Sequence, residues 1–263
     1  MITFPQLGNL GRIGNQLFQI ASTIGIAKFN NTQATFPPWP FDSFLKNPLP
    51  HQWSRPQYIF EENATIPSLP DQSIDYALTG YFQSEKYFKP YEDEIRELFS
   101  LKKEHEETVK EKYKEQLSQP NCSLHIRRGD YLNEQQIIHH GLIGLEYYEE
   151  ATTLFSEDIL FIVFSDDTDW CRDNLKMNNL FFVERSEEGE ETKDEVHNKT
   201  IKINDILDLF LMSYCQNHII CNSSFSWWGA WLNPRMTKKV VAPKQWLVNN
   251  ECPETIPEGW IRI

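Results

Sequence analysis

The sequence predicts an α/β protein whose C-terminal half is a doubly wound parallel sheet, and three observations predict it. Apolar runs at 123–126, 159–164, 180–183, 219–221 and 240–242 are continuous, as strands covered on both faces should be. Between them lie segments of helical period at 144–155, 169–176, 204–214 and 225–232. The first run belongs to Cys122-Ser-Leu-His125-Ile-Arg127-Arg128-Gly-Asp130-Tyr131, a strand that delivers two arginines to a loop at its carboxyl end. Open α/β sheets bind their ligands at that edge.

Taken in order, residues 1–29 read as a short strand, a loop and a helix. The loop carries Gly8, Gly11 and Gly14 ahead of Leu17, Phe18, Ile20, Ala21 and Ile24, which fall at helical spacing. Glycines before a helix start let a ligand approach backbone N–H groups. Residues 30–72 are rich in proline and aromatics (Pro37, Pro38, Trp39, Pro40, Phe41, Trp53, Tyr58) and show no sustained period. They read as an irregular segment, a place where acceptor specificity often lies. Residues 74–80 read as a strand, followed by an aromatic-rich stretch at 81–88 with Ser84 as a cap. The run 91–116 is charged and thinly apolar, which predicts a surface helix or helix pair leading to a boundary near Ser118-Gln119-Pro120. That boundary divides the chain into an N-terminal α/β domain, 1–118, and a C-terminal Rossmann-like domain, 119–263. The acidic stretch 184–195 reads as a solvated, mobile loop.

Composition narrows the function. A chain of 263 residues, 40% hydrophobic and 13% aromatic, suits two packed domains of about 100–150 residues each. Its net charge of −13 excludes a general nucleic-acid binder. Against that acidic field, paired arginines stand out as planar donor forks suited to phosphate. Five scattered cysteines without CxxC spacing argue against a disulfide framework or zinc site, and for reduced thiols in a cytoplasmic protein. No window approaches 18 apolar residues and the N-terminus has no basic region, so neither a membrane span nor an export signal is expected. Peripheral attachment to a membrane stays open.

Asp208 sits in a helical stretch whose apolar residues cover most of the circumference. A buried carboxylate needs a partner. The N1–H and N2–H₂ groups of a guanine would serve; so would a protein arginine or a cap. The strand at 219–221 runs into Asn222-Ser223-Ser224-Phe225-Ser226-Trp227-Trp228, with Ser223 and Ser224 where an N-cap belongs. Unpaired N–H groups and hydroxyls at a helix start form an anion site. The chain thus has two phosphate-directed loops at the carboxyl ends of neighbouring strands. Asp167-Thr168-Asp169 fits a DxD metal pattern, while Asp166 or Asp167 could instead cap the helix containing Trp170. Trp39, Trp53, Trp227 and Trp228 could stack on sugar faces, although core packing suits the Trp227-Trp228 pair better.

His125-Ile-Arg127-Arg128-Gly-Asp130-Tyr131 resembles the HxRRGDY motif of the α1,2-fucosyltransferases, glycosyltransferase family 11. Three further stretches resemble family motifs in the same order: Gly14-Asn15-Gln16-Leu17-Phe18, the GYFQSEKYF of 80–88, and the SSFSWWGAW of 223–231. Arg12 departs from the family pattern, which has glycine there. The short chain, without stem or anchor, looks like a bacterial or viral form.

The resemblance implies a GT-B-like enzyme, two Rossmann-like domains facing a cleft, with the acceptor side in 1–118 and the GDP-sugar side in 119–263. It implies inverting transfer of L-fucose from GDP-β-L-fucose to a galactose 2-hydroxyl in a glycan, with no cofactor and no divalent metal. Arg127 would bind the β-phosphate and Arg128 support it. His125 and Asp208 would hold the nucleoside, and Ser223, Ser224, Phe225 and Ser226 would line the diphosphate. Gly14, Asn15 and Gln16 would belong to the substrate-binding set. Arg127 and Asp130 are the catalytic candidates, with Asp130, His140 and Glu146 the choices for the base that takes the acceptor proton. Two other readings compete: a metal-dependent GT-A-type transferase using Asp167 and Asp169, and a non-catalytic nucleotide-sugar or glycan-binding protein.

Overall fold

A computed structural model describes residues 1–52, 54–62, 65–71, 73–184, 191–194, 199–248 and 254–263. In chain order its elements are β1 (Ile2–Thr3), α1 (Ile13–Phe29), β2 (Ala34–Thr35), β3 (Tyr58–Glu61), β4 (Tyr76–Thr79), α2 (Glu92–Leu98), α3 (Lys103–Lys112) and α4 (Lys114–Leu117). There follow β5 (Asn121–Ile126), α5 (Glu134–His140), α6 (Leu145–Thr152), β6 (Leu160–Ser165), α7 (Thr168–Asn174) and β7 (Leu180–Phe182). Last come β8 (Glu191–Asp194), β9 (Lys199–Lys202), α8 (Ile203–Tyr214), β10 (Asn217–Ile219), α9 (Ser224–Leu232), β11 (Val240–Ala242) and β12 (Ile261–Arg262). The chain forms two compact units: Met1–His105 with Glu191–Ile203, and Glu106–Glu190 with Asn204–Ile263.

In the first unit a parallel sheet runs in the order β2-β1-β4-β3, with Ile2 paired to both Ala34 and Tyr76. Helix α1 is buried along most of its length, polar residues included. Such a helix must spend its polar groups internally. Gln19 donates through Nε2 to the Leu10 carbonyl at 2.9 Å, Thr23 donates to the Gln19 carbonyl at 2.6 Å, and Ser22 donates to the Phe82 carbonyl at 3.3 Å. Gly25 lets the helix meet the 3₁₀ turn Glu85–Tyr87 at backbone contact, and Ser84 caps that turn as the sequence predicts.

The second unit holds a six-stranded parallel sheet in the order β12-β11-β10-β5-β6-β7. The chain winds outward from β5 through β6 to β7, then returns to the other side of β5 and winds out through β10, β11 and β12. The doubly wound expectation holds, and the direction reverses between β5 and β10, which makes that gap the topological switch point. Residues of β6 serve both faces: Phe161 and Val163 join Leu124, Tyr148 and Cys171 in one apolar cluster, while Ile162 and Phe164 join Tyr113, Leu211 and Met212 in another. β5 is apolar on one face only; Asn121, Ser123 and His125 are polar and at most 3% exposed, so each must find partners.

His218 is fully buried beside β5, with Nδ1 2.8 Å from the Ser123 hydroxyl and Nε2 2.8 Å from the Asn233 Nδ2. Since an amide nitrogen can only donate, Nε2 accepts and Nδ1 carries the proton. Burial, with the Lys238 charge assisting, holds this imidazole well below the ordinary histidine range. The unfolded chain therefore binds a proton near pH 6.5 that the folded chain refuses. Stability is full above that pH and is lost as pH falls through it. Melting temperatures measured from pH 8 to 5.5 should decline for the wild type and follow a flatter line for His218→Gln.

Within the acidic stretch 184–195, Glu191–Asp194 is strand β8, paired antiparallel with β9, where a loop is expected; residues 185–190 and 195–198 lie outside the described residues, as do Trp53 and Cys252. Within the irregular segment, β2 and β3 are short strands that no period reveals. Helix α5 was not expected either, because its Ile137 and Ile138 are 40% and 73% exposed and leave no buried stripe to read. No helix among the described residues is long and apolar enough to cross a membrane.

Candidate active site

In-register pairing places the first charges. Ile126 of β5 pairs with Ser165 of β6, so Arg127 and Asp166 leave the sheet side by side. The Arg127 guanidinium lies 2.7 Å from Asp166 Oδ2, with side chains 12% and 13% exposed. The other Asp166 oxygen accepts the Arg128 backbone N–H at 2.9 Å. Burial pushes this carboxyl up, but the Arg127 charge, the Arg128 and Gly129 N–H groups and nearby His125 outweigh it and leave it below the ordinary range. A Cβ on Gly129 would sit 2.5 Å from Asp166 Oδ2, so the loop closes on that carboxylate because residue 129 has no side chain.

Arg128 is held differently. Its Nε donates to Asp167 Oδ2 at 3.1 Å and its guanidinium stacks 3.6 Å over the Trp170 ring. Asp167 also caps α7, accepting from the Trp170 N–H at 3.3 Å. Of the DxD stretch, Asp167 thus serves as a helix cap and an ion-pair partner. Among the described residues no group of three or more His, Cys, Asp and Glu side chains is placed to hold a metal ion.

Across the switch point, the β10–α9 loop comes to the same place. Cys221 Sγ lies 3.2 Å from His125 Nδ1, and the Phe225 ring lies 5.4 Å from the His125 ring. Burial pushes the Cys221 thiol up to about 12, so it stays protonated. Tyr131 donates to the Asn222 carbonyl at 3.1 Å, stacks on His140 at 4.8 Å and lies under the Arg127 guanidinium, 5.8 Å from its ring centre. Asn222 Nδ2 in turn donates to the His140 carbonyl at 2.6 Å. The arginine loop and the serine loop thus share one set of contacts.

The serines divide. Ser223 is the N-cap residue of α9, yet its side chain makes no capping bond. Ser223 and Ser224 are partly exposed at the helix start, where N–H groups lack intrahelical acceptors. Ser226 is turned inward: it is fully buried and its hydroxyl donates to the Ser223 carbonyl at 3.2 Å. Its expected place along the diphosphate belongs instead to the loop's own wiring, because residue 226 lies one turn into the helix on its core side. Phe225 packs partly on the cluster of Leu211 and Met212. The tryptophans after it are core: Trp227 and Trp228 are fully buried, and Trp227 donates to the Thr255 carbonyl at 2.7 Å.

Asp208 is 8% exposed on α8. It lies one turn before Met212, which packs against Gly229 so closely that a Cβ there would fall 2.4 Å from the sulfur. Phe225 lies one turn before Gly229, so the same helix contact sets the height of both. Of the base candidates, His140 stacks beside Arg127 through Tyr131, whereas Glu146 sits in the first turn of α6 with its carboxylate folded over Gly144. The Asp130 side chain lies outside the described residues.

Gly14, Asn15 and Gln16 belong to the first unit, at the start of α1. Gln16 spends its amide there, donating to the Gly11 carbonyl at 3.1 Å and accepting from the Trp39 indole at 2.8 Å. Asn15 accepts from Gln83 at 2.8 Å, which ties the glycine loop to the 81–88 segment. Gly11 turns the loop at φ +75°. Trp39 is buried, so its ring packs inside the unit.

The residue that sequence reasoning missed is Asp166, read only as a cap. The usable signal was its register, one position beyond a strand that pairs with β5.

The sequence model of glycosyl transferase family 11 matches residues 42–261. An α-1,2-colitosyltransferase of Escherichia coli is 34% identical over 197 residues, covering 70% of this chain and 61% of that protein. A galactoside α-(1,2)-fucosyltransferase 1 of Bos taurus is 24% identical over 259 residues, covering 84% of this chain and 64% of that protein. The chain spans about three-fifths of the length of these curated relatives. Among solved structures, the NodZ α-1,6-fucosyltransferase soaked with GDP-fucose matches with a TM-score of 0.56 at 14% identity, covering 95% of each chain. That likeness concerns the fold, which is α/β and GT-B-like.

Proposed function

The chain belongs to glycosyl transferase family 11, and from that premise we propose that it transfers L-fucose from GDP-β-L-fucose to the 2-hydroxyl of a terminal galactose, inverting the anomeric centre. The observation that carries this reading is that Tyr131 joins the two loops at one switch point: it lies under the Arg127 guanidinium and donates to the carbonyl of Asn222, the residue before the Ser223–Ser224 helix start. When GDP leaves, negative charge grows on the β-phosphate, and donors already aimed at that oxygen lower the barrier. Arg127 supplies a charge-assisted fork. The first N–H groups of α9 and the hydroxyls of Ser223 and Ser224 supply the rest. In this scheme no divalent ion is needed, because fixed cationic and dipolar donors do its work. Arg128, tied to Asp167 and Trp170, buttresses the loop. Asp208 takes the guanine N1–H and N2–H₂ groups, and His125 orders the floor of the site.

The sugar passes through an oxocarbenium-like state as the acceptor oxygen arrives on the opposite face. Asp130, His140 and Glu146 stay the candidates for the base, and of the two whose side chains are described His140 is the one tied to this site, through Tyr131.

A second donor deserves equal testing, since the 34%-identical relative is a colitosyltransferase. Colitose is fucose without its 3-hydroxyl, so both donors present the same leaving group. Incubation with lactose and GDP-fucose, GDP-colitose or GDP-mannose, each with and without EDTA, tests the proposal by mass spectrometry. A deoxyhexosyl-lactose product with GDP-fucose, undiminished by EDTA, is expected. Product from GDP-colitose alone would move the donor; abolition by EDTA would overturn the metal-free scheme; binding of the nucleotide sugar without product would make the chain a binding protein.

A further inference from the structure

The acidic pair Asp166-Asp167 mirrors the basic pair Arg127-Arg128, each acid taking one arginine, yet the two ion pairs are built differently. Asp167 joins its arginine to a helix cap and an indole face, a purely architectural set. Asp166 joins its arginine to the backbone of the loop itself, taking the Arg127 guanidinium on one oxygen and the Arg128 N–H on the other. We propose that Asp166 is a positioning residue: it fixes the orientation of the Arg127 guanidinium, so that this fork meets the departing diphosphate without first being ordered. The inference rests on the proposed transfer reaction and adds to it a residue that does not touch the sugar nucleotide.

The physical case has three parts. Arginine side chains carry substantial rotamer freedom, and a fork that must be ordered during the reaction forfeits part of its benefit. A carboxylate gripped by backbone N–H groups is itself immobile, so it transmits the position of the sheet edge to the guanidinium. The absence of a Cβ at residue 129 is what allows that carboxylate to sit so close to the loop. Asp166 also offsets part of the Arg127 charge, so its removal should leave ground-state attraction for a diphosphate intact or stronger while transition-state alignment is lost. A residue that merely kept the protein folded would not split kcat from KM in that way.

The test uses the full chain, with kcat and KM for GDP-fucose measured alongside melting temperature for wild type, Asp166→Asn, Gly129→Ala and Asp167→Asn. Asp166→Asn keeps the shape and one acceptor oxygen but loses the charge. It should lower kcat about 10–100-fold, the scale on which misplacement of a catalytic group is felt, with KM unchanged or reduced. Gly129→Ala, which displaces the carboxylate without removing it, should lower kcat in the same sense and serves if the asparagine variant does not fold. Asp167→Asn, which keeps the helix cap but weakens the Arg128 ion pair, should lower kcat clearly less than Asp166→Asn does. Wild-type kcat in Asp166→Asn, a loss confined to KM, or an equal kcat loss in Asp167→Asn would overturn the assignment. A wild-type chain that transfers no sugar removes the proposed function first and this role with it; active wild type with indifferent Asp166 variants removes only this role.

Discussion

Arg127→Ala is expected to lower sugar transfer by at least 100-fold, the scale on which removal of a donor to developing charge is felt. Its guanidinium is the cationic group that register brings to the switch point beside the helix start of α9. The same change strands the Asp166 carboxylate, which is 13% exposed and would keep only backbone donors. A stability loss of about 1–3 kcal/mol should follow from an under-paired buried acid. The two effects separate in the double variant Arg127→Ala/Asp166→Asn, which removes the stranded charge: stability should recover and transfer should not. Steady-state rates and thermal melts on the three proteins check this. Near-normal transfer in a folded Arg127→Ala protein would take the residue out of the mechanism.

The second large effect is on stability. Gly25→Ala in α1 would place a methyl group 2.1 Å from the Tyr87 carbonyl oxygen and 2.8 Å from the Phe88 Cα, both backbone atoms that cannot rotate aside. At an open helix position the same change stabilises by about 1 kcal/mol. Here the overpacking cost exceeds that gain, and a net loss of about 2 kcal/mol or more is expected. The sign is therefore diagnostic. Denaturant unfolding of Gly25→Ala should show a lower midpoint; a higher one would mean that α1 and the 85–88 turn are not in backbone contact. Because Asn15–Gln83 and Ser22–Phe82 tie the same two segments, displacement there should also disturb the glycine loop.

Much of this was legible in the chain because the relevant signals are local. Continuous apolar runs of β6, β7 and β11 show themselves as sandwiched strands, while β5 alternates and is legible from its place in the winding order that the helical periods give. Arg127 and the serines at 223 and 224 are readable because each stands at a strand end, where sequence position and spatial position coincide. What was not legible depends on register or on packing between distant segments. Asp166 acquires its meaning only when Ile126 is paired with Ser165. Ser226 looks like a third hydroxyl for a ligand until the helix turns it inward. Gln16 looks like a binding amide until Trp39 and Gly11 take both its ends. Helix α5 escaped because its apolar residues face outward, leaving no stripe to count.

The central claim is that the switch point between β5 and β10 receives the nucleoside diphosphate. Calorimetric titration of GDP into the wild type and into Arg127→Ala tests it without depending on any acceptor. Saturable binding by the wild type, weakened about tenfold or more in the variant as expected for a lost charge-assisted contact, is the predicted result. No GDP binding by the wild type, or equal affinity in the two proteins, would contradict it.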